Sequence, residues 1–198
     1  MQTIIFDMHG VIMKEPNGNL MPFVNQSHPH KTVDDIYAFW TEASLGKITS
    51  HEYLRTIGFE GDLYELEKAY LDTLEFDEEF IKCANMLKKR YRLALLSNDV
   101  SEWNLYIRKK FVLDKYFDVI VISGDVGMKK PFTDIFEYTL QQLSQPASEC
   151  LFIDDRPVNL MPAAELGIKP ILYNQAVVDY KGERVASFDE LLDHLGTH

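Results

Sequence analysis

The chain has 198 residues, of which 46% are hydrophobic and 26% are charged, and this balance excludes an intrinsically disordered or collagen-like polymer. Its 20 basic and 31 acidic residues give a net charge of −11. Because this charge would repel nucleic-acid phosphates, we expect no nucleic-acid partner.

No apolar stretch approaches the ~18 residues of a membrane span, and the start lacks a secretory signal pattern, so we expect no membrane partner. Cys83 and Cys150 form no Cys-x-x-Cys pair, which favours a reducing, cytoplasmic location. The sequence leaves the oligomeric state open.

Five short apolar runs predict buried strands. Each run is too short for a helix and lacks the alternation of a half-exposed strand. After the first gap, amphipathic helical patterns lie between consecutive runs, an order typical of a parallel sheet covered by helices on both faces. We therefore predict an α/β protein with a Rossmann-like, doubly wound parallel sheet of five strands, at residues 3–6, 93–96, 119–122, 151–153 and 170–173.

The first gap contains no apolar run and differs from the others. Thr32 with Asp35 and Thr49 with Glu52 have the spacing of capping boxes, where helices begin, and a later leucine-rich pattern marks a third helix. Residues 15–30 show no helical period and contain prolines, which predicts loops. We expect two units, a Rossmann-like core formed by residues 1–12 and 80–198 and an inserted helical cap formed by residues 13–79.

Polar residues follow three of the predicted strands at the point where each strand ends. They are Asp7 after the first run, Ser97, Asn98 and Asp99 after the second, and Asp154 and Asp155 after the fourth. A single aspartate at such a position is more often a helix cap or a turn residue. The carboxyl ends of parallel strands meet at one edge, however, and ligands bind there in open α/β sheets. The convergence of three segments therefore predicts a binding site rich in carboxylates.

The residue types at this edge suit phosphoryl transfer. The reaction needs a nucleophile, a divalent cation, and cationic or hydrogen-bonding groups around the phosphoryl oxygens. Asp7 is the candidate nucleophile and would form an aspartyl-phosphate. With Asp154 and Asp155 it also offers the hard oxygen ligands that Mg²⁺ prefers. The catalytic groups expected to bind the phosphoryl group are Ser97 and Lys130, together with the backbone amide of Asn98.

The sequence resembles, over its whole length, the haloacid dehalogenase superfamily of aspartate-nucleophile hydrolases. IIFDMHGVI resembles the first motif, LLSND the second, VGMKKP the third, and LFIDD with Asn159 downstream the fourth. The first gap resembles the small helical cap of the family. The segments SND and GMKKP within the second and third motifs resemble the branch of the family that contains sugar-phosphate phosphatases and 2-haloacid dehalogenases. The resemblance implies a Mg²⁺-dependent phosphatase, and a small cap favours a compact substrate such as a sugar phosphate.

His9 departs from the family pattern, which has a second aspartate two residues after the nucleophile. In the resembled mechanism that residue gives its backbone carbonyl to Mg²⁺ and acts with its side chain as general acid and base. We therefore expect the His9 carbonyl to remain a metal ligand and the imidazole to take over proton transfer. If the substitution impairs catalysis, the chain would instead bind a phosphorylated ligand or a protein partner without turnover.

A metal-independent 2-haloacid dehalogenase, in which Asp7 attacks carbon, is a further alternative. The adjacent Asp154 and Asp155 argue against it, because their mutual repulsion is costly without a cation. Asn159 is expected to bind Asp155 or the metal's surroundings. We interpret Asp99 and Asp125 as caps or turns, and we expect Asp125 to help hold the Lys130 loop. Cap core is the interpretation for Tyr37, Phe39, Trp40 and Tyr53. No metal-ligand spacing supports a metal site at His28, His30 and His51, which could instead contact substrate from the cap.

Overall fold

The computed structural model describes residues 2–15, 20–27, 32–173 and 179–197, and a parallel β-sheet forms its centre. The strands are β1 (Thr3–Phe6), β2 (Arg92–Ser97), β3 (Val119–Ile122), β4 (Cys150–Asp154), β5 (Lys169–Tyr173) and β6 (Arg184–Val185). They are hydrogen-bonded in the order β3-β2-β1-β4-β5-β6, and all of these pairings are parallel.

This strand order places the carboxyl ends of β1, β2 and β4 side by side. Phe6 at the end of β1 lies opposite Leu95 of β2 and opposite Ile153 of β4. The chain builds the sheet first on one side of β1 and later on the other, so the strand order reverses at β1. In sheets of this kind, ligands bind in the crevice at the reversal point. Asp7 directly follows β1 and lies at this crevice.

Helices connect the strands. The described α-helices are α1 (Leu20–Ser27), α2 (Val33–Tyr37), α3 (Trp40–Ala43), α4 (Ser50–Thr56), α5 (Leu63–Leu71), α6 (Glu79–Leu87), α7 (Ser101–Lys110), α8 (Ser123–Val126), α9 (Thr133–Leu143), α10 (Pro157–Glu165) and α11 (Phe188–His194). Short 3-10 helices cover Asp114–Tyr116 and Ala147–Glu149. Among the described residues no helix has the length and hydropathy of a bilayer span; the longest, α9, has 11 residues, against about 20 needed.

The predicted α/β class with a Rossmann-like parallel sheet is confirmed, and the five predicted strands correspond to β1 through β5. The expected strand number was one too low. The sixth strand has two residues and pairs with β5 at the sheet edge, with Arg184 opposite Leu172. A two-residue strand that contains a charged residue leaves no apolar run in the sequence.

Successive residues of β1 pack into different hydrophobic clusters. Ile4 and Phe6 belong to one buried cluster, whereas Ile5 belongs to a second. Successive side chains of a strand point to opposite faces of the sheet, so both faces of β1 are covered. This arrangement explains why the strand is apolar at every position rather than at alternate positions.

The segment between β1 and α6 consists of short helices. Both predicted capping boxes are present: Thr32 and Asp35 cap α2, and Thr49 and Glu52 cap α4. The prediction of loops over residues 15–30 was wrong for α1, which spans Leu20–Ser27. Pro22 lies in the first turn of α1, where a proline removes no intrahelical hydrogen bond. The division into a core and a cap formed by residues 13–79 stays a prediction.

An aromatic cluster attaches these helices to α7. The indole of Trp103 in α7 lies 4.9 Å from the ring of Tyr70, 5.8 Å from Trp40 and 5.9 Å from Tyr53, measured between ring centroids. Its Nε1 donates to Glu67 of α5 at 2.7 Å. Trp103 is 1% exposed, so its indole is buried in this aromatic cluster and packs the helices against α7.

Candidate active site

The carboxyl ends of the central strands bring the predicted site residues together. Asp7 follows β1, Ser97 ends β2 and Asp154 ends β4. Asp7 is 6% exposed, and its Oδ1 accepts a hydrogen bond from the backbone N–H of Met8 at 2.7 Å. The hydroxyl of Ser97 is buried and makes no hydrogen bond with the part of the chain that the structure describes. A phosphoryl oxygen would supply the partner that this hydroxyl needs.

Three carboxylates form a buried cluster that can hold a metal ion. Oxygen atoms of Asp7, Asp154 and Asp155 all lie within 4.8 Å of one another. Burial and the neighbouring carboxylates raise the pKa of Asp155 to about 8. Burial also raises the pKa of Asp7 to about 6, although Lys130 opposes this shift. Hard oxygen donors in this number suit Mg²⁺, and a divalent cation would relieve the repulsion between them. The residues present therefore fit the implied metal.

Gly10 allows Asp155 to approach the backbone after β1. Its φ is +83°, and a Cβ placed there would lie 2.5 Å from Oδ2 of Asp155. A side chain at this position would therefore displace the carboxylate, and only glycine adopts this φ without strain. The glycine of the first motif thus contributes to the geometry of the carboxylate cluster although it offers no carboxylate itself.

Lys130 is buried between two of the carboxylates. Its Nζ lies 2.7 Å from Oδ1 of Asp7 and 2.8 Å from Oδ2 of Asp154, and it donates to the carbonyl of Leu96 at 3.1 Å. Burial lowers the pKa of Lys130, but the two carboxylates more than offset this and raise it above its ordinary value. The ammonium group is therefore charged and lies beside Asp7, the candidate nucleophile, where it could neutralise an incoming phosphoryl group.

Asn98 has a role that the sequence did not predict. The binding of phosphate by its backbone amide stays a prediction. In addition, its side chain bonds to both the N–H and the carbonyl of Lys130, each at 2.8 Å. Asp125, which was expected to help hold the Lys130 loop, is an exposed residue of α8. Asn98, the second-to-last residue of the second motif, therefore holds this loop.

Asn159 contacts a different carboxylate from the one expected first. Its Nδ2 lies 3.0 and 3.1 Å from the two oxygens of Asp154. The backbone N–H of Arg156 also donates to Oδ1 of Asp154, at 2.9 Å. With Lys130, these donors fix the orientation of the Asp154 carboxylate.

His9 lies next to a carboxylate that we had interpreted as a cap or turn residue. Its Nε2 is 3.1 Å from Oδ2 of Asp99, which is 2% exposed. Burial lowers the pKa of His9, but Asp99, Asp7 and Glu15 raise it above its ordinary value. The interpretation of Asp99 as a cap or turn residue was incomplete. The two residues are 90 positions apart in sequence, so no local pattern could reveal their contact.

A cavity of about 430 Å³ opens onto these groups. Tyr37, Trp40 and Tyr70 line it from the helical segment between β1 and β2. Of the four aromatic residues expected in a cap core, Tyr53 is completely buried, whereas Phe39 is 40% exposed and is not a core residue. His51 lies away from this cavity and pairs with Glu67 at 3.1 Å. His28 and His30 lie outside the described residues.

The sequence matches the family described as haloacid dehalogenase-like hydrolase over residues 1–167. Mouse acyl-CoA dehydrogenase family member 10 is 30% identical to it over 192 residues, which is 86% of this chain. This chain spans only 18% of the mouse protein. D-ribitol-5-phosphate phosphatase from Bacteroides thetaiotaomicron is 26% identical over 184 residues, covering 85% of this chain and 89% of the phosphatase.

The fold is similar to that of a HAD family enzyme from Bacteroides thetaiotaomicron, solved as an aspartate-to-alanine mutant in complex with magnesium and inorganic phosphate. The two structures align with a TM-score of 0.76 over 90% of this chain and 97% of that chain, at 19% sequence identity. At this identity the likeness concerns the fold.

Proposed function

Because the chain belongs to the family of haloacid dehalogenase-like hydrolases, we propose that it is a Mg²⁺-dependent phosphatase that hydrolyses a small phosphorylated metabolite through a phosphoryl group carried on Asp7. The observation that supports this most is the position of Lys130, whose Nζ lies 2.7 Å from Asp7 and 2.8 Å from Asp154 inside the carboxylate cluster. A nucleophile, a buried cation and a set of hard oxygen ligands are the parts that phosphoryl transfer needs. The similarity to a D-ribitol-5-phosphate phosphatase agrees with this activity.

The metal would be held by the carboxylates of Asp7, Asp154 and Asp155 and by the backbone carbonyl of His9. When bound, Mg²⁺ supplies a Lewis acid that neutralises charge on the phosphoryl oxygens. Lys130 supplies a second positive charge, and the hydroxyl of Ser97 donates a hydrogen bond to the same group.

In the first half of the reaction, a carboxylate oxygen of Asp7 attacks phosphorus and the bond from phosphorus to the leaving oxygen breaks. His9 donates a proton to the leaving oxygen, which departs as an alcohol. In the second half, His9 takes a proton from water as the water oxygen attacks phosphorus. The bond between phosphorus and the Asp7 oxygen then breaks, which releases inorganic phosphate and restores the carboxylate of Asp7.

The cavity supports a compact substrate. Its volume of about 430 Å³ lies at the small end of the range for ligand pockets, roughly 300 to 1,000 Å³. The rings of Tyr37, Trp40 and Tyr70 line it and can pack against the carbon faces of a sugar phosphate.

Cys83 and Cys150 are free and buried, which agrees with the reducing, cytoplasmic setting expected from the sequence.

The two alternatives predict different behaviour. Carbon–halogen hydrolysis needs no cation and would leave Asp154 and Asp155, which lie beside Asp7 in the carboxylate cluster, without a role. A binding protein without turnover would retain affinity for phosphate and Mg²⁺. Neither alternative has an observation of its own in its favour, so both enter as outcomes of the test.

The test is hydrolysis of p-nitrophenyl phosphate at several pH values, with Mg²⁺ and with EDTA. It compares the unaltered chain with Asp7→Asn and with Asp125→Asn, a matched control at an exposed position. We expect turnover that requires Mg²⁺ and Asp7 and is unchanged in the control. Halide release from a 2-haloacid in EDTA would overturn the proposal. Absence of turnover that His9→Asp restores would instead show an impaired scaffold.

A further inference from the structure

His9 presents two different ring nitrogens to two different environments. Nε2 lies 3.1 Å from Oδ2 of Asp99. Nδ1 is buried and has no hydrogen-bond partner among the described residues. His9 lines the same cavity as Asp7, so a substrate bound at the nucleophile also meets this imidazole. A buried ring nitrogen without a protein partner needs either a ligand or water to satisfy it.

The carboxylate of Asp99 is fixed as an acceptor. Its Oδ1 accepts from the backbone N–H of Val100 at 2.8 Å, and its Oδ2 accepts from Nδ2 of Asn104 at 3.0 Å. The backbone N–H of Asp99 donates to Oγ of Ser123 at 2.9 Å. Because both oxygens of this carboxylate act as acceptors, the 3.1 Å contact with His9 is satisfied by a proton on Nε2.

The orientation of the Asn104 amide also supports a proton on Nε2 of His9, because it shows that Asp99 acts as an acceptor. Its Oδ1 accepts from Nε of Arg108 at 2.9 Å, which turns the NH₂ group of the amide toward Asp99. Arg108 in turn pairs with Asp114 at 2.7 Å. Asn104 is completely buried, so its amide has one arrangement that satisfies these contacts. The chain of hydrogen bonds therefore gives Asp99 a donor on each oxygen before His9 is counted.

We propose that Asp99 is a positioning residue that keeps a proton on Nε2 of His9 and so makes Nδ1 the atom that exchanges a proton with substrate and water. A carboxylate that orients a histidine in this way selects which nitrogen bears the lone pair. The proton-transfer part of this inference rests on the proposed phosphatase function; the tautomer does not.

The tautomer is measured by long-range ¹H–¹⁵N correlation spectra of the full chain labelled with ¹⁵N-histidine, at a pH where the ring is neutral, with and without Mg²⁺. His9→Gln identifies the His9 signals by their loss. We expect the Nε2–H form in the unaltered chain and a shift toward Nδ1–H in both Asp99→Asn and Asp99→Ala. Asp114→Asn removes a carboxylate at the exposed far end of the same network and should leave the tautomer unchanged. An Nδ1–H or mixed tautomer in the unaltered chain, or no change in either Asp99 variant, would overturn the proposal.

Kinetics separate positioning from a merely structural role. We expect Asp99→Asn to lower kcat for an alkyl phosphate on the order of 10²-fold with little change in KM, and to lower it less for p-nitrophenyl phosphate. The difference arises because an alkoxide needs a proton to leave and a nitrophenolate does not. Equal losses on both substrates would refute the proton-transfer part. If the unaltered chain has no turnover, the proposed function and the proton-transfer part fail together, while the tautomer of His9 still decides whether Asp99 positions it.

Discussion

Asn98 binds the backbone of Lys130 at two points: its side-chain NH₂ donates to the carbonyl of Lys130, and its side-chain oxygen accepts from the N–H of Lys130, both at 2.8 Å. This pair of bonds connects the end of β2 to the loop that supplies the buried ammonium group. The position of the Lys130 Nζ between Asp7 and Asp154 therefore depends on a residue that touches neither carboxylate in the described contacts.

We expect Asn98→Ala to weaken both folding and phosphate binding. The substitution leaves the N–H and the carbonyl of Lys130 without their partner, and each lost bond at a partly buried site costs about 1 kcal/mol. We predict a loss of about 2 kcal/mol in the free energy of unfolding in urea, and a higher KM for p-nitrophenyl phosphate. Asn85→Ala, at an exposed position of α6, is the control. Equal stability of the two variants would contradict this role of Asn98.

The sequence predicted the parts of the fold that local patterns encode. The capping boxes at Thr32 and Thr49 begin α2 and α4 as expected, because a capping box is complete within four residues. Helix α1 was missed because Pro22 falls within its first turn, and a proline there resembles a loop signal. The two-residue strand β6 was missed because it is too short to show a pattern.

The same distinction applies to the site. Asp7, Ser97 and Asp154 are predictable because each lies at the end of a recognisable apolar strand or directly after it. The contact of His9 with Asp99 and that of Asn98 with Lys130 join residues 90 and 32 positions apart. Such contacts depend on how strands and loops pack in three dimensions, which a single sequence does not show.

Gly10→Ala should weaken Mg²⁺ binding by displacing Asp155. The added Cβ would lie 2.5 Å from Oδ2 of Asp155, at a residue with a φ of +83°. Gly61→Ala is a closely matched control, because Gly61 has a φ of +88° and no atom within 4 Å of the added Cβ. Both variants should lose about 1 kcal/mol of stability through backbone strain. Only Gly10→Ala should reduce Mg²⁺ affinity in titration calorimetry, by about 10-fold. A similar loss of affinity in both variants would show that strain, and not the Asp155 contact, is responsible.

Gly46→Ala should disrupt the packing of the helical segment between β1 and β2 against the residues that follow β3. The loop after α3 passes so close to the residues after β3 that the added Cβ would lie 2.1 Å from the carbonyl oxygen of Gly124. A backbone atom cannot move aside cheaply, so we expect a stability loss of about 2 to 3 kcal/mol. Since Ser44 lines the cavity, KM for p-nitrophenyl phosphate should also rise.

The control for this variant is Gly127→Ala. Gly127 has a φ of +70°, close to the +67° of Gly46, but the nearest atom to its added Cβ is 3.9 Å away. Gly127→Ala should therefore lose about 1 kcal/mol in the free energy of unfolding, which is the cost of the backbone strain alone. Urea unfolding curves that place the two variants at the same midpoint would contradict the proposed contact between the helical segment and the core.

The carboxylate cluster should make the metal-free protein less stable as the pH rises. The pKa of Asp155 is raised to about 8 in the folded chain, whereas in the unfolded chain it returns to an ordinary value of about 3.9. At a pH between these two pKa values, Asp155 is protonated in the folded chain and ionised in the unfolded chain. The free energy of unfolding therefore falls as the pH increases through this window. The raised pKa of Asp7, about 6, and that of His9 act in the same direction.

In EDTA we accordingly predict a loss of roughly 1 to 2 kcal/mol in the free energy of unfolding between pH 5 and pH 8.5, which lowers Tm by about 2 to 8 °C in a domain of this size. Mg²⁺ favours the ionised carboxylates, so the rise in Tm that it causes should be larger at pH 8.5 than at pH 5. Differential scanning calorimetry with Mg²⁺ and with EDTA measures both effects. Asp155→Asn removes the group with the larger shift and should flatten the pH dependence while reducing the response to Mg²⁺. A Tm that rises with pH in EDTA would contradict the burial of these carboxylates as the cause, because ionisation would then favour the folded state.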